Sequence, residues 1–350
     1  MRSKTLDELE GNEILAKPIM AEDFCIILPE GAVLKPSYIK KLRELEIQKV
    51  YIKEESEEES VLILKTEMES TVKEKIKEIL GHHTYHHNEE LMQLCETADN
   101  IIVSIVQEDE VAEQVYDIKE RSADIYEHSL SICTMAVLTA LKMNMPPNVI
   151  HDIGVGCLLH DIGLRYLAIE YTDQNLSMLS DGDMAEFRKH PVYGYSALKD
   201  EGWISDISKG IILYHHERLD GSGYPLRASS LTEAIQIVTV CDTFDEMICG
   251  IGCDRVKVHE AVEYLKTFKN IKYGATIVDT FLKFIAVYPT GSRVLTNEGE
   301  LGVVIRQNKE FPERPVIRIL ADKKGRKTEQ EIIKDLVKIH HVFIEKTLDD

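Results

Sequence analysis

The chain has 350 residues, 44% of them hydrophobic and 29% charged, which suits about two folded domains and excludes general disorder. Sixty-one acidic against 41 basic side chains give a net charge of −20, which excludes a protein that coats a nucleic-acid polymer or an anionic membrane. A phosphorylated ligand would have to be held by local cations or by bound metal. The seven cysteines are scattered and make no disulfide framework, so a reducing compartment is expected. Met1–Asn12 is charged and lacks the apolar run of a secretory signal, and the longest mostly apolar stretch, Ser129–Leu141, is short of a membrane span. These features predict a cytoplasmic chain with no membrane partner.

The first sixty residues read as a small α/β module. Phe24–Leu28 and Ala32–Leu34 flank the turn-like Pro29-Glu30-Gly31 and predict a hairpin. Pro36 opens a helix with Ile39 and Leu42 on one face, and Val50–Ile52 returns as a strand. The acidic run from Glu54 to Glu59 is a solvated linker. From Val72 the apolar period becomes helical, with Val72, Ile76 and Ile79 in one stretch and Val111, Val115 and Ile118 in another, so residues 61–114 read as a helical connector. Helical patterns continue to Tyr288, broken at Pro146-Pro147, at Gly182 and at Gly221–Pro225. Beyond Pro289 the pattern turns to strands: Arg293–Leu295 and Gly302–Ile305 flank Asn297-Glu298-Gly299, Val316–Leu320 follows, and a further segment after Glu329 closes a β-rich module over 290–350. The fold class expected is mainly α, with a helical domain over 115–289 between a small α/β module and a small β module.

The chemistry sits in the helical middle. His128 lies in an apolar helical stretch, His160-Asp161 follows Cys157-Leu158-Leu159, and His190 precedes Pro191. His215-His216 ends the apolar Ile211–Leu213 stretch, and Asp242 follows Ile235–Val240. Five imidazoles and two carboxylates suit Fe, Mn, Zn or Ni better than Mg or Ca, and they exceed what one tetrahedral ion needs. They are about right for two octahedral ions sharing a carboxylate. Any one of these histidines alone is more often a structural side chain. His151-Asp152 is a second His-Asp doublet, which the Pro146-Pro147 break places in the first turn of a helix, where it reads as structural. Two further features are weaker. His82, His83, His86 and His87 form two i,i+4 pairs if helical, against a reading as polar connector, and Cys157 and Cys241 read as small buried hydrophobes rather than redox switches.

The series His128, His160-Asp161-Ile162-Gly163, His190-Pro191, His215-His216-Glu217-Arg218-Leu219-Asp220-Gly221-Ser222-Gly223-Tyr224-Pro225 and Asp242 resembles the HD-GYP family of metal-dependent phosphohydrolases, over roughly residues 115–290. The resemblance implies an all-helical domain around two or three divalent cations, Fe or Mn. His128, His160, Asp161 and Asp242 would hold one ion, with Asp161 bridging and central to catalysis, and His190, His215 and His216 would hold the second. Asp124, four residues before His128, would help with a third. The implied activity is that of a cyclic di-GMP phosphodiesterase, in which a metal-bridging hydroxide opens the signalling dinucleotide to its linear form or to GMP. Gly223 would let the loop bend beside the site, and Tyr224 and Asp245 would contact the ligand.

Two departures from the family pattern bear on substrate grip. Leu164 stands where the family usually has Lys, which predicts reduced activity, and Arg165 beside it points about a hundred degrees away around a helix. After Asp242 the family's phosphate-gripping basic string is missing, leaving Arg255 and Lys257 as the nearest candidates for substrate binding. The readings left open are a working phosphodiesterase, a catalytically weak cyclic-dinucleotide receptor, and a phosphohydrolase of another nucleotide. A homodimer through helices such as Val111–Ile118 is also left open.

Overall fold

The computed structural model describes residues 2–6, 9, 15, 19–20, 26–28, 32, 34–44, 47, 49–52, 64, 66–82, 90–107, 116–118, 124–169 and 178–348. The chain divides after Glu59 into two compact units. In the first, β1 (Arg2–Thr5) pairs antiparallel with β4 (Lys49–Ile52), Arg2 facing Ile52. β2 (Ile19–Met20) pairs with β3 (Ile26–Leu28), and α1 (Pro36–Glu44) buries Ile39 and Leu42 against Leu6, Leu15, Leu34 and Val50. Of the hairpin expected between Phe24–Leu28 and Ala32–Leu34, residues 24–25, 29–31 and 33 lie outside the described set; among the described residues β3 takes 19–20 as its partner, and the Ala32 carbonyl accepts from the Leu15 amide at 3.0 Å.

The second unit is a helical body with a terminal sheet. Its helices are α2 (Thr66–His82), α3 (Gln93–Gln107), α4 (Ile125–Lys142), α5 (Pro147–Leu159), α6 (Asp181–Phe187), α7 (His190–Leu198), α8 (Asp206–Tyr214), α9 (Glu233–Cys249), α10 (Val258–Thr267) and α11 (Ala275–Leu282). α4, α5 and α9 bury most of their length, as expected of helices that carry apolar residues nearly all round. Their ends follow local chemistry. Asp124, Ser180, Ser205 and Thr232 each accept backbone N–H bonds as N-caps of α4, α6, α8 and α9, and Pro147 fills the first position of α5. Gly250 closes α9 at φ 74°, a conformation that costs glycine little.

α2 and α3 pack Val72, Ile76, Leu94 and Ile101 into the same core as α4 and α5. The helical period assigned to Val111–Ile118 does not hold at its end. Tyr116 makes a parallel bridge to Ile285 and its amide donates to the Phe284 carbonyl at 2.7 Å, because the buried Tyr116 ring packs on Phe284; residues 111–115 and 83–89 lie outside the described set, the second with most of the histidine cluster.

The terminal sheet has five antiparallel strands, β5 (Arg293–Thr296), β6 (Leu301–Arg306), β7 (Val316–Ala321), β8 (Lys327–Asp335) and β9 (Ile344–Leu348), in the order β8-β7-β6-β5-β9. The Asn297–Gly299 turn joins β5 to β6, with Gly299 at φ 79°, and Val294 faces Gly302 on one side and Thr347 on the other. Val294, Val304, Ile317, Ile319 and Ile344 form its core. Asp117, 3% exposed, ties the body to this sheet: its Oδ1 accepts from the Thr290 amide and from Gln307 Nε2, both at 2.8 Å.

Candidate metal centre

Five helices bring their ends or faces to one place. His128 lies in the first turn of α4, His160 caps the C-terminus of α5 with Asp161 next, His190 begins α7, His215 caps α8 with His216 next, and Asp242 sits within α9. All five imidazoles are at most 6% exposed and Asp242 is fully buried. Polar groups are not placed so deep unless something pairs with them.

The rings are aimed by their outer nitrogens. Nδ1–H of His160 donates to the Cys157 carbonyl at 2.7 Å, that of His190 to Phe187 at 2.9 Å and that of His215 to Ile212 at 3.0 Å. Each acceptor is the carbonyl three residues earlier, so the helix end itself sets the ring and leaves Nε2 as a lone pair facing inward. His128 is held differently, with Nδ1 2.7 Å from Asp245 Oδ2, while Asp245 Oδ1 accepts from the Ser131 hydroxyl at 2.7 Å.

Asp161 stands between two groups of rings. Its Oδ2 is 3.3 Å from His160 Nε2 and 4.0 Å from His128 Nε2; its Oδ1 is 3.3 Å from His190 Nε2 and 3.6 Å from His215 Nε2. Asp242 spans the same gap, with Oδ1 3.4 Å from His128 Nε2 and Oδ2 3.4 Å from His216 Nδ1. Three sets of ligand atoms lie within 4.8 Å of one another: Asp161 with His190, His215 and His216; His128 with His160 and Asp242; and His216 with Asp242 and Glu246. Burial opposes ionisation of Asp161, but His160, His190 and His215 outweigh it and hold the carboxyl well below its ordinary range. Burial likewise opposes charge on His128, and Asp242 and Asp245 outweigh it to raise that imidazole well above its usual value. His216 goes the other way, pushed well down by burial and by His215, His190 and Arg218.

The residues fit divalent cations. His160 Nε2 and both carboxylate oxygens of Asp242 are buried without a hydrogen-bond partner, a costly arrangement that a metal ion relieves. The pairing of nitrogen with oxygen donors favours a transition metal over Mg or Ca.

The loop after His216 is folded by Glu217, a fully buried carboxylate that accepts from the amides of Leu226 at 2.6 Å and Ala228 at 3.0 Å. Gly223 is needed at this fold, since a Cβ there would meet Glu217 Cα and the His216 carbonyl at 2.5 Å. Tyr224 stacks on the His216 ring at 4.6 Å, with the Arg188 guanidinium 5.6 Å from its centroid. Arg218 donates to the His215 and Glu217 carbonyls and to the Thr243 hydroxyl, bracing the same turn.

Four of the expected positions take other work. Asp124 Oδ1 caps α4 through the Tyr126 and Glu127 amides, both at 3.0 Å, and its Oδ2 pairs with Lys73 at 2.9 Å, so its carboxylate is spent on the helix end rather than offered to a cation. Asp245 is fully buried behind His128, where it orients a ring instead of reaching a ligand. Arg255 is exposed beyond the left-handed Gly250, and Lys257 caps α10 and lines a cavity of about 170 Å³ with His259, Thr290, Arg293 and Thr347, none of them in the centre. Leu164 is 6% exposed in the 3-10 turn Ile162–Tyr166, just past Asp161. Sequence reading missed Glu217 and Glu246. Glu217 sits inside the quoted His-His-Glu string, and Glu246 follows Asp242 by one helical turn, so a scan for carboxylates at i+4 would have found it.

Comparison with known proteins adds to this geometry. Residues 105–277 match the family model for the HD domain, and residues 293–350 match that for a KOW domain associated with the HD domain. The helical body has the fold of the HD domain. A cyclic di-GMP phosphodiesterase of Pseudomonas aeruginosa is 28% identical over 216 residues, covering 60% of this chain and 51% of that protein. The cyclic di-GMP phosphodiesterase response regulator RpfG of Xanthomonas campestris is 31% identical over 156 residues, covering 43% of this chain and 40% of that protein. The chain therefore spans about half or less of the length of these relatives. An HDG"Y"P protein from Bdellovibrio bacteriovorus shares the fold at a TM-score of 0.52 and 18% identity, covering 80% of this chain and 97% of that one. The helical body is mainly α, as the sequence led one to expect, and it is followed by the β-rich terminal module in which the KOW match lies. No helix among the described residues is long and apolar enough to cross a membrane.

Proposed function

We propose that this chain is a metal-dependent phosphodiesterase that hydrolyses cyclic di-GMP. The observation that carries the reading is Asp161, whose two oxygens each face a separate group of imidazoles about 3.3 Å away. A carboxylate so placed suits a pair of divalent cations, one with His128, His160 and Asp242 and one with His190, His215 and His216. Bound there, the pair would supply Lewis acidity that activates water and neutralises charge on a phosphodiester. The chain's own part is to hold the donors at fixed positions. Carbonyls of Cys157, Phe187 and Ile212 take the outer N–H of His160, His190 and His215, and Asp245 does so for His128. The stacked Tyr224 ring and the Gly223 turn form a wall beside His216 against which a base or sugar would rest.

The named activities of the Pseudomonas and Xanthomonas relatives support cyclic di-GMP as the substrate, and the mixed nitrogen and oxygen donors suit a transition metal such as Fe or Mn. Residues 115–289 would carry the reaction, with 61–114 supporting it and with 1–60 and 290–350 as accessory modules. Cys95, Cys133, Cys157, Cys241 and Cys253 are free thiols, which supports a reducing, cytoplasmic setting. The buried Leu164 favours a second reading, a receptor that binds the dinucleotide and turns it over weakly. A turnover assay on cyclic di-GMP and other cyclic dinucleotides, with metal content measured on the same anaerobic sample, separates these readings. Linear product in wild type that is lost in Asp161→Asn supports the enzyme. Binding without product over hours supports the receptor, and less than one metal equivalent overturns both.

A further inference from the structure

We infer that Glu246 forms, with His216 and Asp242, a third cation position at the rim of the metal centre. The inference rests on the two-cation reading of that centre and extends it. Glu246 lies one turn after Asp242 on α9, so both carboxylates share a helix face. The ligand atoms of His216, Asp242 and Glu246 lie within 4.8 Å of one another, and Glu246 is not among the groups that meet Asp161, His190 and His215 within that reach. Glu246 therefore belongs to a separate position and is not an added donor to the Asp161–His190–His215 ion.

Asp242 provides the independent support. It is fully buried, neither of its oxygens has a hydrogen-bond partner, and the two point apart, Oδ1 toward His128 and Oδ2 toward His216. The His128–His160 ion uses one oxygen. The other remains in the interior, directed at the space that His216 and Glu246 border. His216 is common to two groups, and whichever cation it serves, the second ion keeps Asp161, His190 and His215.

Glu246 is half-buried beside buried His216 and Asp242, so this position opens toward solvent on its Glu246 side. Two carboxylates and one imidazole with room for water suit Mn or Fe in six-coordination. The carboxylate one turn before His128 does not compete for this role, because Asp124 is held by Lys73 and by two backbone amides. A cation held there lies next to the His216–Tyr224 stack.

The test is metal stoichiometry of the full chain, stripped with chelator, reloaded with Mn and desalted, read by elemental analysis and by the electron paramagnetic resonance of bound Mn. Wild type should hold three equivalents, the third the weakest. Glu246→Gln, which keeps the shape, should hold two with unchanged circular dichroism, and Glu246→Ala should match it. Asp124→Asn, which keeps the capping oxygen, should still hold three. Two equivalents in both wild type and Glu246→Gln would overturn the third position while leaving the two-cation centre standing. Loss of an equivalent in Asp124→Asn would also overturn it, by placing the third ion on α4. Fewer than two equivalents in wild type would overturn this inference together with the reading it rests on.

Discussion

The Oδ2 of Asp245 lies 2.7 Å from Nδ1 of His128, and 117 residues of sequence separate the pair. The contact joins α9 to α4 and fixes which nitrogen of His128 faces the centre. Carboxylates that orient a ligand histidine typically contribute 10–100-fold to metal affinity or activity. Asp245→Ala should weaken Mn binding by about that factor, whereas a residue that touched only substrate would raise KM and leave metal affinity alone. Titration of metal-free protein with Mn, alongside KM, distinguishes the two.

Asp161→Asn should reduce turnover of cyclic di-GMP to background and remove at least one metal equivalent, since one neutral amide cannot replace a carboxylate that faces two groups of rings. Far-ultraviolet circular dichroism should be unchanged, because no helix uses Asp161 as a side-chain cap.

Gly163→Ala should be severe although it adds one methyl group. The new Cβ would lie 1.9 Å from the His190 carbonyl and 2.7 Å from the Gly194 amide, both rigid backbone of α7. Overpacking of this kind costs roughly 1–3 kcal/mol or more. The first turn of α7 carries His190, so the melting temperature and the metal content should fall together.

Asp124 and Lys73 make a pH-dependent contribution that is independent of the centre. Burial opposes the Asp124 charge, but the Glu127 amide and Lys73 outweigh it and hold the carboxyl below its ordinary value. A lowered folded-state value means that the contribution is present above ~4 and is lost as pH falls through the lowered value. Asp124→Ala should cost about 1 kcal/mol at pH 7, most of it from the cap, because a partly exposed ion pair is screened by water. The difference between wild type and variant in urea unfolding should shrink below pH 4.

Asp117→Ala should loosen the terminal sheet from the helical body by leaving the Thr290 amide and Gln307 without their acceptor, at roughly 1–3 kcal/mol. Asp117→Asn keeps an acceptor oxygen and should recover most of the loss. Hydrogen exchange at residues 288–292 reads the effect locally.

Much of this was legible in the sequence because it depends on neighbours along the chain. The prolines that open α1 and α5, the apolar period of α4 and the Asn297–Gly299 turn are all local signals, and each marks its element correctly. Where a signal had two local meanings, packing chose between them. Asp124 is both a helix-face neighbour of His128 and an N-cap, and Lys73 on α2, far away in sequence, fixes it as the cap. Ile26–Leu28 could pair on either side, and it took residues 19–20.

Sequence alone determined the inventory: five imidazoles and two carboxylates, most at helix ends, in a chain too acidic to hold phosphate by its own charge. Only the tertiary structure decided the assignments within that inventory. It set one oxygen of Asp161 against His160 and the other against His190, put Asp245 behind His128 and brought Glu246 to His216. The physical reason is that side-chain spacing along one helix specifies a face, whereas the distance between faces of different helices is set by how their apolar sides pack in the shared core.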